Sequence, residues 1–181
     1  MPTRWLWAAV MGLGGVAAMA GDGPEKEWSY KDWRVELKGG RCALSTGGDG
    51  DGFFRLEFGM LGFDAAAIYQ PLWYRSEPMP LEFEDGVAVV IDGRDSGFGD
   101  EMAVFDGRDE WDDYFRAAAL TTGYVPDLVE TLRRANRIAF VVFRPGRAPA
   151  VYDDLSLSGF TAVYLKASEW CRFSPTALPR A

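Results

Sequence analysis

Leu155-Ser-Leu-Ser-Gly-Phe-Thr-Ala-Val-Tyr-Leu-Lys-Ala-Ser-Glu-Trp-Cys171 decides how the chain is read. It opens with Leu155 and Leu157 in alternation, turns at Ser158-Gly159, and then changes period. Phe160, Val163, Tyr164, Ala167 and Trp170 follow at the i, i+3, i+4, i+7 spacing of one helix face. Cys171 closes the segment, and the other cysteine, Cys42, lies near the start of the folded part. The expectation is a β-rich core whose two ends are joined by this helix and this pair of sulfurs.

Upstream, short apolar segments carry the period of strands. Trp33, Val35 and Leu37 alternate with polar residues, and a turn at Lys38-Gly-Gly-Arg41 returns the chain through Cys42 to Thr46 as a hairpin. Gly47-Gly-Asp-Gly-Asp-Gly52 reads as a loop, and Phe54, Leu56 and Phe58 as the inward face of the next strand. Ala65 to Tyr69 suits a helical turn, and Pro71 to Arg75 an irregular edge, because proline donates nothing to a ladder. Leu81-Glu-Phe83, Gly86 to Ile91 and Met102 to Phe105 read as strands, the second covered on both sides. Asp109 to Leu120 could be strand or helix, with Trp111, Tyr114 and Ala118 pointing to helix. Pro126 to Asn136 is a helix, with Pro126 at its first position, acids near its start and arginines near its end. Ile138 to Phe143 is a buried strand and Ala150 to Tyr152 its hairpin partner. The whole is an α+β, mainly β fold: a sandwich or strongly curved antiparallel sheet with two helices in the C-terminal half.

The organisation expected is a signal peptide over 1–20, a linker over 21–32, one β-rich domain over 33–173 and a flexible tail over 174–181. Arg4 supplies the positive start, Leu6 to Val16 the uncharged apolar run, and Ala18-Met-Ala20 the small-x-small cleavage pattern. No stable membrane span is expected after cleavage, and the location is periplasmic or secreted. The chain holds 19 basic and 27 acidic residues, and loss of Arg4 leaves 18 against 27, a net charge of −9. Such a balance repels phosphate backbones, so nucleic acid is not an expected partner. Two cysteines in an exported chain are most simply a Cys42–Cys171 disulfide, the alternatives being buried free thiols or pairing between molecules.

Histidine is absent, which removes His-based triads, His general bases and His metal sites. Asp49-Gly-Asp51-Gly52 starts like a calcium loop, but Phe53 stands at the third ligand position and Met60 at the twelfth. No metal, cofactor or catalytic residue is assigned. Asp92, Asp95, Asp100 and Glu101 form an acidic loop where two carboxylates could serve glycoside hydrolysis. Asp106 to Asp113 with Trp111 and Tyr114 is the densest acidic and aromatic stretch. The candidate ligand or partner surface comprises Trp73, Tyr74, Trp111, Tyr114, Asp109 and Asp112.

Leu128 to Arg137, the strand Ile138 to Phe143 and the step Leu155-Ser-Leu-Ser-Gly-Phe-Thr-Ala162 into the final helix resemble the closing half of invasion-associated protein B-like proteins and of neighbouring uncharacterised periplasmic proteobacterial families. Trp33 to Ala43, an aromatic strand leading to a cysteine, is similar to their opening segment. The resemblance implies an exported accessory protein with a β-rich fold and no assigned catalytic residues. The functional expectation is therefore a non-enzymatic protein that binds an unidentified envelope protein or glycan. A carbohydrate-binding β-sandwich is the alternative, and a carboxylate-based hydrolase using Asp95 and Asp100 the second.

Overall fold

The computed structural model describes residues 24–74, 76–108 and 112–179. The expected signal peptide lies outside them, as do Asp109 and Trp111 of the candidate surface. Eleven strands run in chain order: β1 (Lys26–Tyr30), β2 (Trp33–Lys38), β3 (Arg41–Gly47), β4 (Phe53–Phe58), β5 (Ala66–Gln70), β6 (Gly86–Ile91), β7 (Arg94–Asp95), β8 (Met102–Arg108), β9 (Tyr114–Leu120), β10 (Arg137–Phe143) and β11 (Ala150–Ser156). Two helices, α1 (Val125–Leu132) and α2 (Phe160–Cys171), both lie in the C-terminal half. One antiparallel sheet has the order β1-β2-β3-β4-β5-β9-β8 and the other β11-β10-β6-β7.

Alternation sets which face each strand buries. Trp33, Val35 and Leu37 of β2 and Phe54, Leu56 and Phe58 of β4 point into the core, as their period of two requires. Between them β3 is buried along Cys42 to Thr46 on both faces. Its outward Ala43 and Ser45 are small and pair with Glu57 and Arg55 across one side and Glu36 and Arg34 across the other. The ion pairs Arg55–Glu57 at 2.8 Å and Arg34–Glu36 at 3.4 Å lie on this outer face, where long charged side chains cover small neighbours.

The core is a connected run of rings. Phe160 of α2 lies 4.8 Å from Trp33, which meets Phe54 edge-on at 6.1 Å. Phe54 lies 5.3 Å from Phe140 of the second sheet, and Phe140 stacks on Tyr69 at 3.8 Å with planes 3° apart. Helix α2 packs on β2 and β3 through Phe160, Val163, Tyr164, Ala167 and Cys171, all buried, while Trp170 is half-buried at the rim. Its start depends on Gly159, whose φ is +101° and whose missing Cβ would stand 2.2 Å from the Tyr30 carbonyl oxygen. Its end carries the Cys42–Cys171 disulfide, with Cα atoms 6.1 Å apart.

Several local expectations are corrected. Lys26–Tyr30, inside the expected linker, is a strand; it is exposed on both faces and so carries no burial signal, but its main chain pairs with β2 from Lys26↔Leu37 to Tyr30↔Trp33. Ala65 to Tyr69 is not a helical turn: Ala67 and Tyr69 are buried alternately in β5, where tertiary pairing overrides the helix preference of alanine. Tyr114–Leu120 is a strand for the same reason, its three alanines lying between β5 and β8. Leu81-Glu-Phe83 is no strand, because Asp85 draws it into a turn through the Glu82 amide at 2.8 Å. Helix α1 ends at Leu132, short of Asn136, since the Asn136 and Arg137 amides donate to the Asp92 carboxylate at 2.9 and 3.0 Å. The expected loose tail is held in its described part: the Pro175 carbonyl accepts from Arg133 at 2.8 Å, and Leu178 packs against the core.

The disulfide closes a span of 129 residues. Replacing both cysteines by alanine is expected to lower the free energy of unfolding by about 2–5 kcal/mol. Urea unfolding of the oxidised protein and the double variant, followed by tryptophan fluorescence, measures it; unchanged midpoints would contradict a stabilising bridge.

Candidate ligand-binding cleft

β5 ends at Gln70, and Pro71 follows, buried and unable to continue the ladder. From there to Asp85 the described chain forms no strand, and its end from Pro80 to Asp85 is held by side chains from elsewhere. The Trp73 indole N–H donates to the Glu77 carbonyl at 2.8 Å, closing a local turn. The Pro80 carbonyl accepts from Tyr152 Oη at 3.0 Å and from Arg144 Nη2 at 3.1 Å. Arg116 Nη1 donates to the Leu81 carbonyl at 2.6 Å and pairs with Glu82 at 2.8 Å, and its guanidinium lies 4.4 Å over the Phe83 ring.

Arg144 also grips Asp85 with two bonds, Nε to Oδ1 at 2.9 Å and Nη2 to Oδ2 at 2.5 Å. The Asp85 side chain has no accessible surface, whereas Arg144 keeps 22% of its own, so the pair sits just beneath the surface. The Arg144 hydrogen bonds hold the Asp85 carboxyl below the ordinary aspartate range, against the opposing effect of its burial. These clamps fix an irregular segment that has no ladder of its own.

The clamped segment walls two recesses. One, of about 640 Å³, is lined by Asp51, Pro71, Leu72, Trp73, Glu77, Pro78, Pro80 and residues Val151 to Asp153 of β11, with Gly50 at its rim. The second, of about 330 Å³, is lined by residues 51–53, Gln70, Pro71, Leu72, Trp73 and residues 113–116, with Gly48 at its edge. Asp51, Pro71, Leu72 and Trp73 belong to both, so Trp73 stands between them.

Asp153, at the base of the first recess, is 8% exposed. Its carboxylate accepts from the Gly52 amide at 2.6 Å and from the Tyr69 hydroxyl. Burial first, and then this carboxylate partner, hold the Tyr69 hydroxyl well above the usual phenol range, so it remains a donor. A Cβ on Gly52 would stand 2.2 Å from Asp153 Oδ2, so only glycine lets the loop approach so closely. Next to Asp153, β11 carries a bulge: Phe140 pairs with Asp153 but Val141 with Val151, leaving Tyr152 as the extra residue, its hydroxyl turned to Pro80.

The structure brings together Trp73 and Tyr114 in the second recess, whose acidic lining is Asp51 and Asp113. Tyr114 is 37% exposed and its hydroxyl donates to Asp106. Tyr74 is exposed beside Trp73 in sequence but lines neither recess. Asp112 lies apart too, paired with Arg108 at 3.1 Å. The sequence raises Asp51 only in a calcium-loop pattern that fails, and it singles out neither Gln70 and Tyr152 nor buried Asp153. Its one sequence signal is an acid on the inward side of a strand, two residues before Leu155.

Asp95 and Asp100, the two acids of the hydrolase alternative, line a separate recess of about 340 Å³ with Val87, Ala88 and Phe143. Asp92 caps the turn after α1, and Asp95 Oδ1 accepts from the Gly97 amide at 3.0 Å. Arg133, beside a recess of about 440 Å³ at α1, donates to Pro175 and lies 5.5 Å over Tyr164. Among the described residues no group of three acids or cysteines is placed to hold a metal ion, and no helix is long and apolar enough to cross a membrane.

No protein-family model and no curated protein matches this chain. Among solved structures, its fold is similar to that of invasion associated protein B from Bartonella henselae, with a TM-score of 0.54 and 11% identity over 81% of this chain and 99% of that one. At that identity the likeness speaks for the fold, and it agrees with the family resemblance carried by the closing helix and the opening hairpin.

Asp153→Ala strands the Tyr69 hydroxyl and the Gly52 amide in a buried site and is expected to lower unfolding free energy by about 2–4 kcal/mol. Chemical denaturation measures this, and a loss within experimental error would show that the junction is dispensable. A second expectation concerns acid. The folded pKa of Asp85 lies below its ordinary value of 3.8, so its stabilisation is complete above that value and lost as pH falls through the folded pKa. Unfolding midpoints should fall on acidification below about pH 4, and less steeply in Asp85→Asn. Equal slopes in both proteins would contradict the assignment.

Proposed function

We propose that the protein is an exported, non-enzymatic accessory protein, periplasmic or secreted, that binds a protein or another envelope component in the cleft around Trp73. The observation that carries the reading is the position of Trp73, a large ring shared by two recesses and oriented by its own indole bond to the Glu77 carbonyl. Rigid aromatic side chains in concave sites supply much contact area at small entropic cost.

Three further observations support it. The N-terminal pattern of a charged start, apolar run and Ala18-Met-Ala20 is that of an export signal. The Cys42–Cys171 bridge suits an oxidising compartment. The chain shares its fold with a protein named for association with invasion.

A second reading, a carbohydrate-binding module, is favoured by the joint presence of Trp73, Tyr114, Gln70 and two acids in one recess. Rings of this kind pack on sugar faces while amides and carboxylates bond hydroxyl groups.

Trp73→Ala is expected to weaken capture of the native envelope partner by about tenfold or more, with the fold retained. Quantitative pull-down from solubilised envelope, comparing wild type and variant, measures it. Equal capture by the two would remove the cleft from the reading. A glycan array separates the two versions, since Trp73-dependent binding of an envelope sugar would select the second.

A further inference from the structure

Building on the reading of the Trp73 cleft as a binding site, we infer that its ligand is a basic, extended segment of polypeptide. The described side-chain donors along the cleft already have acceptors within the chain. Trp73 Nε1 donates to the Glu77 carbonyl, Tyr152 Oη to the Pro80 carbonyl and Tyr114 Oη to Asp106. Arg116 is committed to Leu81 and Glu82, and its side chain is only 11% accessible. The Gln70 amide stands apart from this set.

What faces outward from the described walls is therefore rings, prolines and acceptors. Exposed Asp51 belongs to both recesses, and exposed Glu77 lies in the first. Among the described residues the one cation lining either recess is Arg116, and it is neutralised by Glu82 at 2.8 Å. A cleft that offers acceptors and negative charge selects a ligand rich in donors and positive charge. Ammonium and guanidinium groups meet the carboxylates and lie favourably over Trp73.

Geometry points to a polypeptide as the bearer of that charge. The first recess runs along Val151 to Asp153 of β11, an edge strand whose outer side pairs with no strand among the described residues. Val151 of the same strand is 64% exposed and offers an apolar side chain to the recess. Main-chain groups at a sheet edge are what an extended peptide can use and a sugar cannot match in register. Pro71, Pro78 and Pro80 with Trp73 form the apolar wall against which such a segment would lie.

The test is fluorescence anisotropy of the whole protein with a labelled lysine–proline peptide, its glutamate–proline counterpart, and oligosaccharides released from the native envelope. The lysine peptide should bind at least about tenfold more tightly than the glutamate peptide and weaken with added salt. Asp51→Asn with Glu77→Gln should weaken it by about fivefold to tenfold, and Trp73→Ala by a similar factor. Glu130→Gln on α1 should leave it unchanged. Binding that ignores Trp73 and the two carboxylates, or that falls equally in Glu130→Gln, would reduce it to bulk charge attraction and overturn the inference. So would Trp73-dependent binding of the oligosaccharide without the peptide, or a failure of the lysine peptide to bind. If Trp73→Ala still abolishes envelope capture in those cases, the cleft stands as the binding site and only its ligand class is wrong.

Discussion

The two sheets of this protein are joined at the stack of Phe140 on Tyr69. The rings lie 3.8 Å apart and nearly parallel, one from each sheet, and Phe54 closes on Phe140 from the same side as the rest of the ring network. Tyr69 cannot be buried on ring area alone, because its hydroxyl loses water there and must be given an acceptor. Asp153 is that acceptor, and a buried carboxylate in turn demands donors, which Tyr69 and the Gly52 amide provide. One packing decision therefore fixes a chain of others. The glycine loop after β3 is drawn against β11, Gly52 can carry no side chain, and the base of the first recess is set.

A similar logic holds the segment from Pro71 to Asp85. It makes no ladder, so each of its carbonyls near the core needs a donor from outside. Arg144, Arg116 and Tyr152 supply them, and Asp85 secures Arg144 in place. Exposed ion pairs contribute little to stability, but one whose acid has no accessible surface is costly to break from either side. The consequence is that the end of the segment from Pro80 to Asp85 is ordered in advance, and a part already ordered loses little entropy when something binds beside it.

The sequence revealed most of the frame. Alternation at Trp33 to Leu37 and Phe54 to Phe58, the helical period from Phe160 and the two cysteines foretold the sheets, α2 and the bridge that closes them. What it hid follows a pattern. β1 has no buried face, so its strand character lies wholly in main-chain pairing with β2. β5 and β9 are rich in alanine, which reads as helix when local preference is weighed without neighbours. The site is legible in part: Trp73 and Tyr114 stand out in the sequence as candidate surface aromatics, yet their convergence on Asp51 depends on the order β4-β5-β9, which no local period encodes. Asp153 and Tyr69 lie 84 residues apart and become a pair only once two sheets pack.

The same constraint that orders the cleft also gives it a chemical sign. Holding an unladdered segment requires donors, and the donors nearest the cleft are spent on the carbonyls that need them. Carboxylates have no such call on them from the main chain's carbonyls, since both are acceptors. Side chains such as Asp51 and Glu77, on the glycine loop and the proline segment, are left facing water. An acidic, aromatic cleft is thus the natural residue of an irregular wall clamped by arginines and tyrosines in a chain with an excess of acids. The inferred selectivity for donor-rich ligands and the clamping of Pro80 to Asp85 have one origin, the hydrogen-bond demand of the segment from Pro71 to Asp85.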